Sequence, residues 1–137
     1  MLSGILSLLL VMTMSFTIDS KRYVEVEASP AVASVENGKE FVIYLKLIPA
    51  DGIHLNAVPP VSVKPGSDGM TMKVDSVKKN GDYLDVSSPL AVRCVLAGVS
   101  TGLHNLKFDV SYTFCSSTEG WCRFGKSELS VQIYVSK

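Results

Sequence analysis

Tyr112-Thr-Phe-Cys-Ser-Ser-Thr-Glu-Gly-Trp-Cys-Arg123 sets two cysteines and a polar loop between two alternating apolar runs. Before it, Leu106, Phe108, Val110, Tyr112 and Phe114 recur at every second position; after it, Leu129, Val131, Ile133 and Val135 do the same. A period of two belongs to a strand with one buried face. Between the two runs, Ser116-Ser-Thr-Glu-Gly120 is polar and ends in glycine, as a turn between paired strands does. The sequence therefore predicts a hairpin with Cys115 and Cys122 at the two ends of its loop. They are close enough to bridge if their Cβ vectors agree.

Two chemistries fit such a pair. As a structural staple, the bond closes an eight-residue loop and contributes about 2.5 kcal/mol on the chain-entropy model. As a redox-active dithiol, it needs access. Strand parity puts Cys115 in phase with Lys107, Asp109, Ser111 and Thr113, the polar outward face. There a partner's thiolate can reach it. Arg123 follows Cys122 in sequence, and a nearby cation favours a thiolate. Spacing alone leaves both chemistries open.

Outward from the hairpin, the period stays close to two. Tyr23-Val-Glu-Val-Glu27 alternates, Ala31 to Val35 follows Pro30, and Asn37-Gly38 marks a turn. Phe41, Ile43, Leu45 and Leu47 share one face of a long strand. A turn at Pro49-Ala-Asp-Gly52 precedes the short Ile53-His-Leu-Asn56, which Pro59-Pro60 stops. Val61 to Lys64 and Met70 to Val77 are further strands, and Asn80-Gly81-Asp82 is a strong two-residue hairpin signal. Leu90, Val92, Cys94 and Leu96 share a face of the strand before the final hairpin. Past the first twenty residues, helical spacing never runs for ten residues. The expected architecture is all-β: an immunoglobulin-like antiparallel β-sandwich of about seven to nine strands, with barrel closure as the alternative.

With 137 residues the chain is long enough for one domain with a proper core. Its 13 basic and 13 acidic residues cancel, and they form no basic stripe, so nucleic acid is not an expected partner. Leu2 to Phe16 is uncharged and apolar, the material of a signal-peptide core, with small residues Thr13 and Ser15 near a cleavage point. No Lys or Arg precedes it, and its length is marginal for a membrane span, so an uncleaved anchor is the second reading. The segment holds no cysteine for lipidation. The division is thus 1–20 signal or anchor and 21–137 β-sandwich. Either reading exports the body to where thiols can be oxidised.

The remaining chemistry-bearing residues have quieter readings. Cys94 is in phase with apolar neighbours and reads as a buried, inert thiol. His54 reads as a hydrogen-bonded structural residue and His104 as a surface residue at a strand entry. Met70 and Met72, with a histidine or a cysteine, are the ingredients of a copper(I) site, yet two methionines at period two read first as core. The sequence has no Cys-x-x-Cys, His-Glu-x-x-His or Gly-rich phosphate loop, which leaves zinc-protease and nucleotide readings without residues.

The order of several short motifs carries a resemblance. Gly52-Ile-His-Leu-Asn-Ala-Val-Pro-Pro60 is followed by Gly102-Leu-His-Asn-Leu106, Tyr112-Thr-Phe-Cys115, Cys122 and a closing strand from Leu129 to Val135. Together they resemble the N-terminal periplasmic domain of the thiol:disulfide interchange protein DsbD, over nearly the whole body of the chain. The resemblance implies an immunoglobulin-like domain that passes electrons from a membrane-embedded donor to periplasmic thioredoxin-like proteins, without a cofactor. It implies that Cys115 and Cys122 are the redox pair, that Cys122 forms the mixed disulfide with the partner and that Cys115 resolves it. It also suggests Tyr83, in Gly81-Asp-Tyr-Leu84, as a residue that shields the pair. The sequence departs from the pattern in the six residues between the cysteines and in Arg123-Phe-Gly125, where a proline is usual shortly after the second cysteine. No membrane-embedded or thioredoxin-like segment lies within the 137 residues, so the expected donor is a separate protein. The competing expectations are a scaffold or binding module stapled by its disulfide, and a soft-metal carrier.

Overall fold

A computed structural model describes residues 23–137. The proposed signal or anchor segment, 1–20, lies outside the described residues. In chain order the strands are β1 (Val24–Pro30), β2 (Ser34–Glu36), β3 (Glu40–Pro49), β4 (Ile53–Leu55), β5 (Ser62–Pro65) and β6 (Met70–Val74). They continue with β7 (Lys79–Asn80), β8 (Tyr83–Leu84), β9 (Leu90–Leu96), β10 (Gly102–Ser116) and β11 (Cys122–Ser136).

The alternating runs become strands because each has one face to bury. Phe41, Ile43, Leu45 and Leu47 of β3 and Leu90, Val92, Cys94 and Leu96 of β9 line the inside of one sheet. Leu106, Phe108, Val110, Tyr112 and Phe114 of β10, with Val131, Ile133 and Val135 of β11, line the other. All of these residues belong to one hydrophobic cluster. The first sheet runs β1-β3-β9-β6 and the second β2-β11-β10-β4, with β5 also on β10. Lettered by position, that is A-B-E-D facing C-F-G, the strand order of a constant-type immunoglobulin sandwich. The expected all-β, immunoglobulin-like sandwich is what the chain forms.

Eleven strands replace the expected seven to nine among the described residues. Three local events account for the difference. After Pro30 the chain crosses between sheets, and β2 pairs in parallel with the end of β11. The strand beside β10 is broken: β4 pairs with Phe114–Ser116 and β5 with Phe108–Ser111, and Pro59 and Pro60 lie between them. Prolines have no N–H to give to a ladder. Finally, Lys79–Leu84 forms the separate β7–β8 ribbon, whose register Asn80↔Tyr83 leaves Gly81 and Asp82 as the loop. Gly81 has φ +64° and Asp82 does not have positive φ, the pattern of a type II′ turn. The β10 and β11 strands are 15 residues each, longer than the hairpin arms their apolar residues alone define. The strand expected over Met70–Val77 ends at Val74.

Candidate functional site

The site is built on the far end of the β10–β11 hairpin. The ladder runs from Gly102↔Val135 to Cys115↔Cys122. Ser116 N then donates to Trp121 O at 2.8 Å, so the cysteines occupy the adjacent, non-hydrogen-bonded position of the ladder. Side chains come closest at such positions. The Cα atoms are 4.0 Å apart, and the two sulfurs form a disulfide. The bond therefore lies within one sheet, on its outer face. It does not join the two sheets through the core.

The loop that the bond closes is tied down. Gly120 N donates to Ser116 O at 2.9 Å and Glu119 N to Ser116 Oγ at 3.1 Å. Both the amide and the hydroxyl of Ser117 donate to the Gly52 carbonyl, at 3.0 and 3.1 Å. Gly120 sits at φ +73°, a conformation that glycine adopts without cost. On the inner side of the hairpin end, Tyr23, Phe114 and Trp121 pack as an aromatic plug with centroids 5.2 to 5.8 Å apart.

Register assembles the outer face into two rows, because residues directly opposite in an antiparallel pair share a face. Cys122 pairs with Cys115, and Cys115 pairs with His54 of β4. One step along, Phe124 pairs with Thr113, the Asn56 amide donates to the Thr113 carbonyl at 2.9 Å, and Asn56 bridges to Tyr83. The Tyr83 ring stacks on His54 at 4.4 Å, and Ala57 N donates to Asp82 O at 3.0 Å. These contacts dock the β7–β8 ribbon beside β4.

Within these rows the two sulfurs differ. Cys122 is exposed, whereas Cys115 is half-buried. The Asn56 carboxamide reaches Cys115, with Nδ2 3.1 Å from Sγ. Phe124, two residues beyond Cys122 on the same face, is 82% exposed.

Several expectations change. Cys115 does lie on the outer face, but Thr113, expected to be exposed there, is buried and its hydroxyl has no hydrogen-bond partner among the described residues. Arg123 does not face the sulfur of Cys122. Consecutive strand residues point to opposite faces, and Arg123 shares the inward face with Phe114. Its guanidinium stacks over Trp121 at 4.2 Å and Tyr23 at 5.6 Å. His54 stands directly across from Cys115, with its ring stacked on Tyr83. Tyr83 reaches this end of the sheet through His54. Cys94 is buried and free, and desolvation pushes its thiol up to about 11. His104, near the start of β10, bonds the Ser100 carbonyl.

The soft-metal ligands are not brought together. Met70 is buried in β6 of the first sheet and Met72 is packed against the same core. His54 is on the outside of the second sheet, and His104 is at the opposite end of β10 from Cys115. One motif was overlooked in the sequence. Gly98-Val-Ser-Thr-Gly102 matches Gly-x-Ser-x-Gly, but it joins strand β9 to strand β10, whereas a nucleophile elbow joins a strand to a helix. Asn56 and Phe124 were also missed. Asn56 lies within the Gly52–Pro60 motif, but nothing in the sequence ties it to Cys115.

No family model matches the chain, and no curated protein matches it. Among solved structures it is similar to the GAE domain of yeast GGA1, with TM-score 0.46 and 10% identity over 78% of this chain and 91% of that one. It is also similar to the ZirS C-terminal domain, with TM-score 0.33 and 14% identity over 82% of this chain and 66% of that one. Neither likeness bears on activity.

Proposed function

We propose that the chain is an exported thiol–disulfide exchange domain and that Cys115–Cys122 is its redox pair. The observation that carries this reading is the position of the bond: on the outer face of one sheet, with one sulfur exposed and neither in the hydrophobic cluster. The staple of antibody domains ties the two sheets together through the core. A bond at a hairpin mouth is instead open to a partner's thiolate. Exposed Cys122 is the sulfur that forms the mixed disulfide, and half-buried Cys115 resolves it. Exposed Phe124 and half-exposed Tyr83 flank the pair and offer apolar surface to a protein partner. Thioredoxin-like periplasmic proteins, with a membrane-embedded electron donor, are the partner classes that the DsbD resemblance supplies. Tyr83, leaning on His54, is the shielding residue in this scheme.

The test is the reduction potential of the bond, titrated against a dithiothreitol or glutathione buffer with free thiols counted by mass. An exchange domain equilibrates within about −120 to −270 mV, whereas a structural bond lies below about −300 mV. The lower value would make Cys115–Cys122 a staple and remove the proposed function. A value in the exchange range is followed by Phe124→Ser, which should slow electron transfer from the reduced domain to the disulfide of a thioredoxin-like protein and leave reduction of the domain by dithiothreitol unchanged.

A further inference from the structure

Among the described residues, Asn56 is a polar side chain that touches a sulfur of the pair. Its Nδ2 lies 3.1 Å from Cys115 Sγ and its Oδ1 lies 3.4 Å from it. In the disulfide Cys115 has no S–H, so only the carboxamide N–H can donate, and the closer Nδ2 fits that assignment. The backbone that carries the side chain is well held. The Asn56 backbone amide is bonded to Thr113 O at 2.9 Å, and the residue bridges to Tyr83. Asn56 is thus fixed between β10 and the β7–β8 ribbon, on the side of Cys115 away from Cys122.

We propose that Asn56 is a catalytic residue of the exchange reaction: its carboxamide N–H stabilises the Cys115 thiolate released when the disulfide opens. This rests on the exchange reading above. In the half-reaction that reduces this domain, a thiolate of the electron donor attacks the exposed Cys122 Sγ and forms a mixed disulfide with it. The Cys115–Cys122 bond breaks, and its electron pair leaves on Cys115 Sγ as the thiolate. A second thiolate of the donor then attacks the donor's own sulfur in the mixed disulfide, and Cys122 leaves as thiolate. The donor ends as a disulfide and this domain as a dithiol, two electrons and two protons richer. In the other half-reaction, which passes the electrons on, the steps run in reverse and Cys115 resolves the mixed disulfide. A leaving thiolate of lower pKa departs faster. A neutral N–H donor to an anion is the stronger, charge-assisted kind of hydrogen bond. Asn56 therefore biases the first step toward attack at Cys122, which is also the sulfur that a partner can reach.

Of the ionisable side chains, His54 of β4 stands directly across from Cys115, and the Tyr83 ring stacks on it. Arg123 is turned to the inner face. Asn56 supplies a donor at a fixed distance and carries no charge that would change with pH.

The experiment uses the whole chain carrying Cys122→Ser, so that Cys115 is a lone thiol at the site, and compares Asn56 with Asn56→Ala and the near-isosteric Asn56→Asp. His54 is common to all three proteins, so differences among them report position 56. The midpoint of the thiolate absorbance of Cys115 should move to higher pH in Asn56→Ala and further in Asn56→Asp, where a carboxylate repels the anion. Losing one such donor lowers the thiolate fraction at neutral pH about tenfold. The greater nucleophilicity of the more basic thiolate offsets part of that, so alkylation by iodoacetamide should slow about threefold. An unchanged midpoint and rate in Asn56→Ala would overturn the proposal, as would an Asn56→Asp protein that behaves like the parent. If Asn56→Ala does not fold, Asn56→Asp has the shape of the native residue and decides alone. These measurements need no exchange partner, so a failure here is distinct from a staple-like reduction potential, which would end the exchange reading itself.

Discussion

Reducing the Cys115–Cys122 bond should remove a cross-link and leave the fold in place. The physical reason lies in where the sulfurs are. Of the three cysteines only Cys94 belongs to the hydrophobic cluster, and the apolar residues of β10 and β11 pack inward without help from the bond. The hairpin ladder continues without interruption from the bond back to Gly102↔Val135, and the loop holds itself through Ser116 and Gly52. What is lost is the restriction on the unfolded chain. For an eight-residue loop that is about 2.5 kcal/mol. A domain of this size loses about 4 °C of melting temperature per kcal/mol, so the expected fall is about 10 °C. The assay is thermal unfolding followed by far-ultraviolet circular dichroism, with oxidised protein compared to protein in excess phosphine reductant. Cys115→Ala with Cys122→Ala should match the reduced protein within a few degrees. Loss of the cooperative transition on reduction, or a fall above about 25 °C, would contradict a fold that stands without the bond. It would mean that the bond holds the hairpin together, and an exchange domain must be folded in both redox states.

Two further outcomes follow from the packing. Gly125→Ala should destabilise the domain by about 1–3 kcal/mol, the range for overpacking. A Cβ there would sit 2.3 Å from Cε2 of Tyr112, whose ring covers the glycine. The denaturant midpoint reads the loss, adding Tyr112→Leu should recover part of it, and an unchanged midpoint would contradict the packing. For Cys94, burial raises the folded thiol from 9.0 to about 11. Above the lower value the unfolded chain binds fewer protons than the folded one. Stability from this group is thus complete below about pH 9 and is lost as pH rises through about 11, by about 3 kcal/mol in all. Unfolding free energies measured across that window should fall less steeply in Cys94→Ala, and parallel curves would refute the assignment.

The parts of the fold that follow from period two were legible. β3, β9, β10 and β11 each bury one face, and each alternating run named the residues that do so. Local pattern could not supply the pairings made at long range. The parallel β2–β11 pair and the division of the strand beside β10 depend on which sheet a short segment joins. The site divides in the same way. The disulfide is local, closed by one hairpin seven positions apart, and its residues could be named from the sequence. Asn56 is 59 residues from Cys115, and the two meet because β4 is the neighbour of β10. Arg123 shows the opposite error. Adjacency in sequence suggested a cation for Cys122, yet adjacency in a strand sends two side chains to opposite faces. The residue that shares the face of Cys122 is two positions on, and it is Phe124, 82% exposed. Across the bond, the face continues to His54, Asn56 and Tyr83. The exposed sulfur is thus bordered by an aromatic ring and the half-buried sulfur by an amide donor. In the proposed exchange reaction, that asymmetry assigns partner docking to Cys122 and thiolate formation to Cys115.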